Sequence, residues 1–167
     1  DLATFLDEEN VQHLISAYIS PEDGQIIRKT MYKFSSLMTD TWKKGNIFLL
    51  GDAAHLTPPF MGQGMCSGIR DAKNLAWKLD LVLKGISDDS IFETYQTERY
   101  PHSETLVQMA IDLGKVICVT SKEAAAQRDA AFMSGQVPPM PPMPNLTDGI
   151  LYKDANGELK ENSGKLS

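Results

Sequence analysis

The chain has 167 residues, a mass of 18.5 kDa, a formal net charge of -6 and a sequence pI near 5.0. This acidic balance, without a lysine- or arginine-rich block, argues against a nucleic-acid partner, because phosphate binding needs a basic surface. No apolar run approaches the ~20 residues of a membrane helix, and no signal peptide is visible, so no membrane partner is expected. The two cysteines, Cys66 and Cys118, do not form a disulfide framework, which predicts a cytoplasmic location.

The first third of the chain predicts one helix and two strands. Residues 7–18 have a helical apolar period, with Asp7 as the N-cap. A turn at 20–24 precedes an alternating, strand-like stretch at 25–38. After a second turn at 43–46, the four residues Ile-Phe-Leu-Leu are apolar without alternation. This pattern predicts a buried central strand, covered on both faces.

The rest of the chain is predominantly helical in its pattern. A helix after Cys66 is expected to end at Gly85 and to bury one apolar stripe. Pro101 should break or kink the next helical region, which gives helices at 88–100 and 103–119. Residues 121–133 predict a further helix capped by Ser121. The expected stripe of the first of these helices consists of Ile69, Ala72, Ala76, Leu79 and Leu83.

Two features mark the C-terminal region. Residues 137–144 read VPPMPPMP, which is typical of an extended polyproline segment and predicts a domain boundary. Apolar residues at 150–153 and 158–159 flank the turn sequence DANG, which predicts a hairpin.

Residues 51–79, GDAAHLTPPFMGQGMCSGIRDAKNLAWKL, contain the most informative motif. An apolar strand leads directly into Gly51 and Asp52, and two prolines and a glycine loop then lead into a helix. The free N–H groups and the dipole at a helix start favour negative charge, and glycines allow a close approach to the backbone. The order of these elements predicts a ligand site at the end of a sheet.

This motif resembles the second FAD-binding motif of the flavoprotein aromatic hydroxylases, the class A monooxygenases with the para-hydroxybenzoate hydroxylase fold. The 3-(3-hydroxyphenyl)propionate and phenol hydroxylase branch is the most similar, and the resemblance extends through NLAWKL to ERYP at 98–101. It implies that Asp52 hydrogen-bonds the ribityl chain and that Pro58 and Pro59 lie beside the isoalloxazine ring. Pro59 is the one residue assigned to the catalytic wall of the oxygen pocket. The implied cofactor-binding residues are Gly51, Asp52, Pro58, Gly62, Gln63, Gly64, Met65 and Cys66.

The resemblance also implies an activity and a fold. The expected reaction is hydroxylation of a small phenolic substrate by O2, through a C4a-hydroperoxyflavin, with FAD as cofactor and NADPH or NADH as reductant. The expected fold is an α/β (α+β) fragment that closes a Rossmann-like FAD domain. The oligomeric state stays open, and a homodimer is allowed. The expected domains are the end of a substrate domain at 1–45, the FAD half-domain at 46–120, a helix and linker at 121–145, and the start of a C-terminal domain at 146–167.

Several residues have competing interpretations. His55 could suggest a metal or a base, but one histidine and one aspartate make an incomplete metal set, so loop ordering by hydrogen bonding is favoured. Cys66 departs from the asparagine that this family most often has, although its backbone N–H survives the change. Asp71, Asn74 and Arg99 are interpreted as structural ties.

Two alternatives to the hydroxylase remain. One keeps the fold but changes the reaction, to a flavin-dependent halogenase or an oxidoreductase acting on a polyketide. The other is a catalytically inactive interaction module, because no strand followed by G-x-G-x-x-G is present in this sequence. That missing element, together with a start at Asp1, leads to the expectation that the chain is a piece of a longer protein, inactive by itself and holding half a cofactor site.

Overall fold

The computed structural model describes residues 5–137 and 139–165. The chain divides into two compact units, one up to Phe34 and one from Ser35 onward. The described residues contain both helices and short strands, as expected for a mixed α and β protein. Within them, no helix is long and apolar enough to cross a membrane.

The first unit contains one helix, α1, at Glu8–Ile15. Asp7 is its N-cap residue, as predicted, but the cap makes no side-chain hydrogen bond, and the helix ends three residues before the expected limit. The predicted strand at 25–38 is wrong except for its last two residues, because the stretch before them has no ladder partner among the described residues. An unpaired strand leaves its backbone N–H and C=O groups unsatisfied by protein, so alternation alone does not create one.

The second unit opens with two short antiparallel pairs. Strand β1 at Leu37–Met38 pairs with β4 at His55–Leu56, and β2 at Lys43–Lys44 pairs with β3 at Ile47–Phe48. The turn predicted at 43–46 is therefore part of a tight hairpin, in which Gly45 has the left-handed φ of 58° that such turns favour. The predicted buried central strand at 47–50 is wrong, since β3 has one partner strand and Ile47 is 69% exposed.

Helix α2 extends over Gly64–Leu83, and Gly85 follows its C-cap with a φ of 67°. Its stop signal was predicted correctly, but its buried face was not. The predicted stripe includes Ile69 and Leu83, which are 58% and 82% exposed. The buried residues of α2 lie on a different stripe and are mostly polar or charged: Ser67, Asp71, Leu75 and Lys78.

Helix α3 is a single helix of 25 residues, Glu93–Ile117, entered through a short 3-10 turn. Pro101 was predicted to break or kink the helix; the break is wrong, because α3 continues through Pro101, and the kink stays a prediction. Proline removes one helical hydrogen bond and costs about 3 kcal/mol in a helix interior. Buried side chains on both sides of Pro101 hold the helix together against this cost: Tyr95, Glu98, Arg99, His102, Ser103, Leu106, Val107 and Ala110.

The core of the second unit is aromatic. Trp42 is fully buried, and its ring lies 5.3 Å from the imidazole of His55 and 5.8 Å from the ring of Tyr95, between centroids. The indole N–H donates to the Thr39 carbonyl oxygen at 3.1 Å, so its polar atom is satisfied. The Tyr95 hydroxyl donates to the Leu49 carbonyl oxygen at 2.9 Å. These contacts pack the β2–β3 hairpin against α3.

The C-terminal part of the second unit follows its sequence patterns. Helix α4 at Lys122–Met133 is capped by Ser121, whose hydroxyl accepts from the Ala124 N–H, as predicted. The described part of 137–144 has no helix or strand, while Pro138 lies outside the described residues. The hairpin after it is reduced to one antiparallel bridge between Lys153 and Leu159. The domain boundaries at 45, 120 and 145 stay predictions.

Because Trp42 is fully buried, we expect its side chain to contribute strongly to the free energy of unfolding. Trp42→Ala should lower the free energy of unfolding by about 3–5 kcal/mol, because a large cavity replaces the indole. Urea denaturation followed by circular dichroism measures this. Trp77→Ala is the matched control, since Trp77 is 40% exposed and should cost clearly less. Equal losses for the two variants would contradict the central place of Trp42.

Candidate functional site

The candidate site begins where β3 leads into a 3-10 turn at Gly51–Ala53. Gly51 has a φ of 55°, which favours glycine, and it lies directly against Gly68 of α2. A Cβ built on Gly68 would stand 3.3 Å from the Gly51 Cα, tighter than most contacts between packed atoms. The two glycines therefore allow the loop backbone to lie on the helix.

Beneath this turn, the carboxylate of Asp71 forms the centre of a buried network. It accepts from Nε2 of His55 at 2.7 Å, from Nε of Arg99 at 2.8 Å and from the Gly51 N–H at 3.0 Å. Burial by itself raises the pKa of Asp71. The three donors and the charge of the guanidinium outweigh burial and hold that pKa below its usual 3.8. Asp71 is therefore ionised, and it joins the loop, β4, α2 and α3.

The network continues along α3. Nη1 of Arg99 donates to Nδ1 of His102 at 3.1 Å, which requires a neutral imidazole. Burial, together with the charges of Arg99 and Arg70, lowers the pKa of His102 from 6.5 to about 4. The hydroxyls of Ser67 and Ser103 lie 3.2 Å apart beside the same guanidinium.

A second buried ion pair joins the same two helices. Nζ of Lys78 donates to Oε2 of Glu98 at 2.8 Å, and Nδ2 of Asn74 donates to the same oxygen at 2.6 Å. The other oxygen, Oε1, accepts from the backbone N–H of Ile150 at 2.8 Å. This carboxylate therefore binds the C-terminal segment as well as α2.

These contacts confirm the structural interpretation of Asp71, Asn74 and Arg99, and the loop-ordering role of His55. His55 donates from Nε2, and its buried Nδ1 has no partner among the described residues. Within those residues, no group of three or more histidine, cysteine or acidic side chains could hold a metal ion.

The other side of the loop is open. Asp52 is exposed, and its carboxylate makes no hydrogen bond within the part of the chain that the structure describes. Of the two prolines, Pro58 is buried and Pro59 is exposed. Pro59 begins a second 3-10 turn, Pro59–Met61, which ends at Gly62 with a φ of 62°. The loop is thus held on one side by the Asp71 network, while Asp52 and Pro59 are exposed on the other.

The start of α2 lacks a side-chain cap. Gln63 is the N-cap residue, but its Oε1 accepts from Arg70 at 3.2 Å and not from the helix backbone. The N–H groups of Gly64, Met65 and Cys66 belong to the first turn, where helical N–H groups have no intrahelical partner. No atom lies within 4 Å of a Cβ built on Gly62 or on Gly64, so a ligand can reach this backbone. Uncapped N–H groups and the helix dipole favour a negatively charged or carbonyl-bearing ligand.

The predicted site residues thus lie in and beside two 3-10 turns, on either side of β4, and at the start of α2. The sequence pattern did not predict the buried polar network below them, which also includes Ser67, Lys78, Glu98, His102 and Ser103. The signal available was spacing: polar residues recur at 67, 71, 74 and 78, one face of a helix.

Comparisons with known proteins identify the family of this chain. Residues 3–110 match the family described as FAD binding domain. A probable NADH-specific resorcinol 4-hydroxylase from Rhodococcus jostii strain RHA1 is 43% identical over 91% of this chain and 28% of its own length. A 3-(3-hydroxy-phenyl)propionate/3-hydroxycinnamic acid hydroxylase from Mycolicibacterium vanbaalenii strain PYR-1 is 38% identical over 87% of this chain and 27% of its own. The chain therefore spans less than a third of the length of these curated relatives.

Among solved structures, aklavinone-11 hydroxylase in a ternary complex with FAD and aklavinone matches with a TM-score of 0.67. The match covers 96% of this chain and 30% of that chain at 23% identity, which establishes a likeness of fold. The resemblance to aromatic hydroxylases, and to the 3-(3-hydroxyphenyl)propionate branch among them, is confirmed.

Removing the central charge should destabilise the second unit. Asp71→Asn leaves the Arg99 guanidinium buried without a counterion, so the free energy of unfolding should fall by about 3–5 kcal/mol. Because the pKa of Asp71 lies below 3.8, the wild type keeps this contribution down to that pH and loses it only in stronger acid. Asp80→Asn, on an exposed part of the same helix, is the control and should leave the urea midpoint unchanged. An unaltered midpoint for Asp71→Asn would contradict the assignment.

His102 predicts a pH dependence at milder acidity. Between pH 6.5 and about 4, the unfolded chain binds a proton that the folded chain excludes, so stability falls as the pH falls. The total loss should approach about 3 kcal/mol, from the size of the pKa difference. His102→Gln should flatten this slope in urea titrations at several pH values. The exposed His13→Gln variant should retain it, and a wild-type stability independent of pH in this window would refute the prediction.

Proposed function

The chain belongs to the FAD-binding domain family, and from that premise we propose that it forms the closing half of the FAD site in an aromatic monooxygenase. In the proposed fold, the described second unit completes a Rossmann-like domain. The proposed reaction is hydroxylation of a small phenol by O2 with NADH or NADPH as reductant, carried out by the native-length protein. The single observation that supports this most strongly is the start of α2, which is uncapped, is flanked by glycines and has open space at the Cα atoms of Gly62 and Gly64.

The residues of the loop fit an FAD molecule in distinct ways. The exposed Asp52 carboxylate is free to accept hydrogen bonds from ribityl hydroxyls, because no group of the described chain occupies it. Gly51, in the same 3-10 turn as Asp52, lies against Gly68 and so holds that turn on α2. Gly62 and Gly64 leave open space at their Cα atoms, so the isoalloxazine edge can approach the backbone. These features support a site shaped for the cofactor.

The first turn of α2 supplies the electrostatic contribution. When bound, FAD would accept hydride from the nicotinamide and activate O2, one atom of which enters the ring while the other leaves as water. The N–H groups of Gly64, Met65 and Cys66 would hold the negative charge that reduction places at the N1–C2=O edge. One such preorganised donor stabilises a developing charge by about 3 kcal/mol. The side chain of the N-cap residue Gln63 accepts a hydrogen bond from Arg70 and does not cap the helix, so the first-turn N–H groups stay available to a ligand.

The two prolines have different proposed roles. Pro58 is buried and fixes the loop, whereas Pro59 is exposed and would form the wall beside the reacting part of the flavin. A rigid wall excludes water and shapes the space available to O2 and the ring. Cys66 replaces a side-chain donor but keeps its backbone N–H, so the charge-holding role does not depend on its thiol.

The names of the relatives guide the choice of substrate and reductant. Resorcinol and 3-(3-hydroxyphenyl)propionate are both small phenols, and the 43% identical relative is described as NADH-specific. We therefore propose a small phenol and NADH as the first pair to test.

The free Cys66 and Cys118 support a cytoplasmic location. The homodimer and the domain boundaries at 45, 120 and 145 stay predictions. Product analysis with phenolic substrates separates hydroxylation from halogenation or another oxidation.

Asp52→Ala should weaken FAD binding by about 10- to 100-fold, as expected for loss of hydrogen bonds to a charged group. Fluorescence titration of the native-length apoprotein with FAD measures the dissociation constant. Asp80→Ala is the control, because it removes an exposed carboxylate near the far end of α2.

A visible absorption spectrum of the native-length protein, purified without added cofactor, tests the function itself. Bound flavin that is released as FAD is the expected result. A colourless protein that also fails to bind added FAD would overturn the proposal and favour the alternative of a catalytically inactive interaction module. FAD affinity unchanged by Asp52→Ala in a flavin-binding protein would overturn the Asp52 role alone.

A further inference from the structure

The proline loop contacts α3 at one unusual point. Phe60 is half-buried, and its ring lies against Gly114, a buried glycine in the last two turns of α3. A Cβ built on Gly114 would overlap this ring, standing 2.6 Å from Cδ2 and 3.2 Å from Cζ. Carbon atoms pack best at about 3.5–4.0 Å, so alanine at 114 would force the ring to move.

Helical preference does not account for glycine at this position. Glycine is a weak helix former, and Gly114 lies inside a helix of 25 residues. Its backbone conformation is ordinary, since it is not among the glycines with positive φ. The close approach of the Phe60 ring is the local feature that requires a residue without a side chain.

The contact between Phe60 and Gly114 affects the candidate site because of where Phe60 lies in the chain. Phe60 is the middle residue of the turn Pro59–Met61, and α2 begins at Gly64. The Gly62 N–H closes the turn by donating to the Pro59 carbonyl oxygen at 3.0 Å. The ring therefore fixes a short, hydrogen-bonded segment that includes Pro59 and leads directly into the first turn of α2.

Helix α3 also holds the body of α2, through the 2.8 Å ion pair between Arg99 and Asp71. The same helix thus contacts the loop near one end and the α2 core nearer the other. If the ring left Gly114, the loop would lose this contact with α3 while the Arg99–Asp71 pair stayed in place. The position of the loop would then be linked less tightly to the position of α2.

We propose that Phe60 and Gly114 are positioning residues, which set Pro59 and the first-turn N–H groups of α2 at the distance that the flavin requires. This inference rests on the proposed FAD site for its functional consequence, but the contact itself can be tested without FAD. Neither residue touches the cofactor in the proposal. Both act through the backbone of the loop.

The test compares Gly114→Ala, Phe60→Ala and the double variant in the native-length protein. In the FAD-free state, hydrogen exchange of the Gly62 and Ser67 amides reports the order of the loop and of the α2 start, because these amides donate to the carbonyl oxygens of Pro59 and of the N-cap residue Gln63. Each single variant should speed this exchange. Each should also raise the dissociation constant for FAD by about tenfold and shift the visible flavin spectrum, as a small misplacement of a binding group does.

The double variant provides the decisive comparison. Once Phe60 is truncated, a methyl group at 114 meets no ring, so adding Gly114→Ala should change neither exchange nor FAD affinity further. Phe132→Ala is the matched control, because it removes the same side chain from the exposed face of α4. It should leave both quantities at the wild-type value.

The possible outcomes are separable. Exchange and FAD affinity that stay at wild-type values in Phe60→Ala would overturn the inference, as would additive effects in the double variant. A Gly114→Ala protein that fails to fold, but folds again when Phe60 is also truncated, would support it. If the wild type binds no FAD, the proposed function falls, and the exchange measurements still decide whether Phe60 and Gly114 order the loop.

Discussion

The ion pair between Asp71 and Arg99 is the interaction on which the rest of the second unit depends. Both side chains are almost completely buried, and a charge pair in that position is stabilising only when its remaining hydrogen-bonding capacity is used. Here the carboxylate also accepts from His55 and from the Gly51 backbone. The loop is therefore ordered by charges placed beneath it, and the side chains of Asp52 and Pro59 remain exposed.

The helix ends were predictable because their signals are local. Ser121 caps α4 through its own hydroxyl, and Gly85 follows α2 with the left-handed φ that glycine adopts readily. The apolar strand at 47–50 was not predictable in the same way, since burial depends on neighbours that a local pattern does not contain. Pro101 illustrates the same limit, because the tertiary contacts of residues around it outweigh its local preference.

The same difference between local signals and tertiary contacts decides which parts of the candidate site could be predicted. Asp52, the prolines and the glycine loop could be predicted because the order of backbone-permissive and acidic residues carries the signal. The buried face of α2 could not, because amphipathic patterns assume that buried residues are apolar. Asp71 and Lys78 violate that assumption, and each is buried only because α3 supplies an opposite charge. Pairing across two helices is a property of the fold and not of either segment.

The buried Glu98 carboxylate has a further consequence for the C-terminal segment. One of its oxygens binds Lys78 and Asn74, while the other holds the Ile150 backbone, with Gly149 lying directly against the side chain. Any protein or domain that engages this segment through its backbone must compete with a carboxylate that is already desolvated. Binding of a partner to the backbone at Ile150 would free one oxygen of Glu98, whose other oxygen pairs with Lys78. Such binding would therefore be linked by mass action to the stability of α2, the helix that begins at the candidate site.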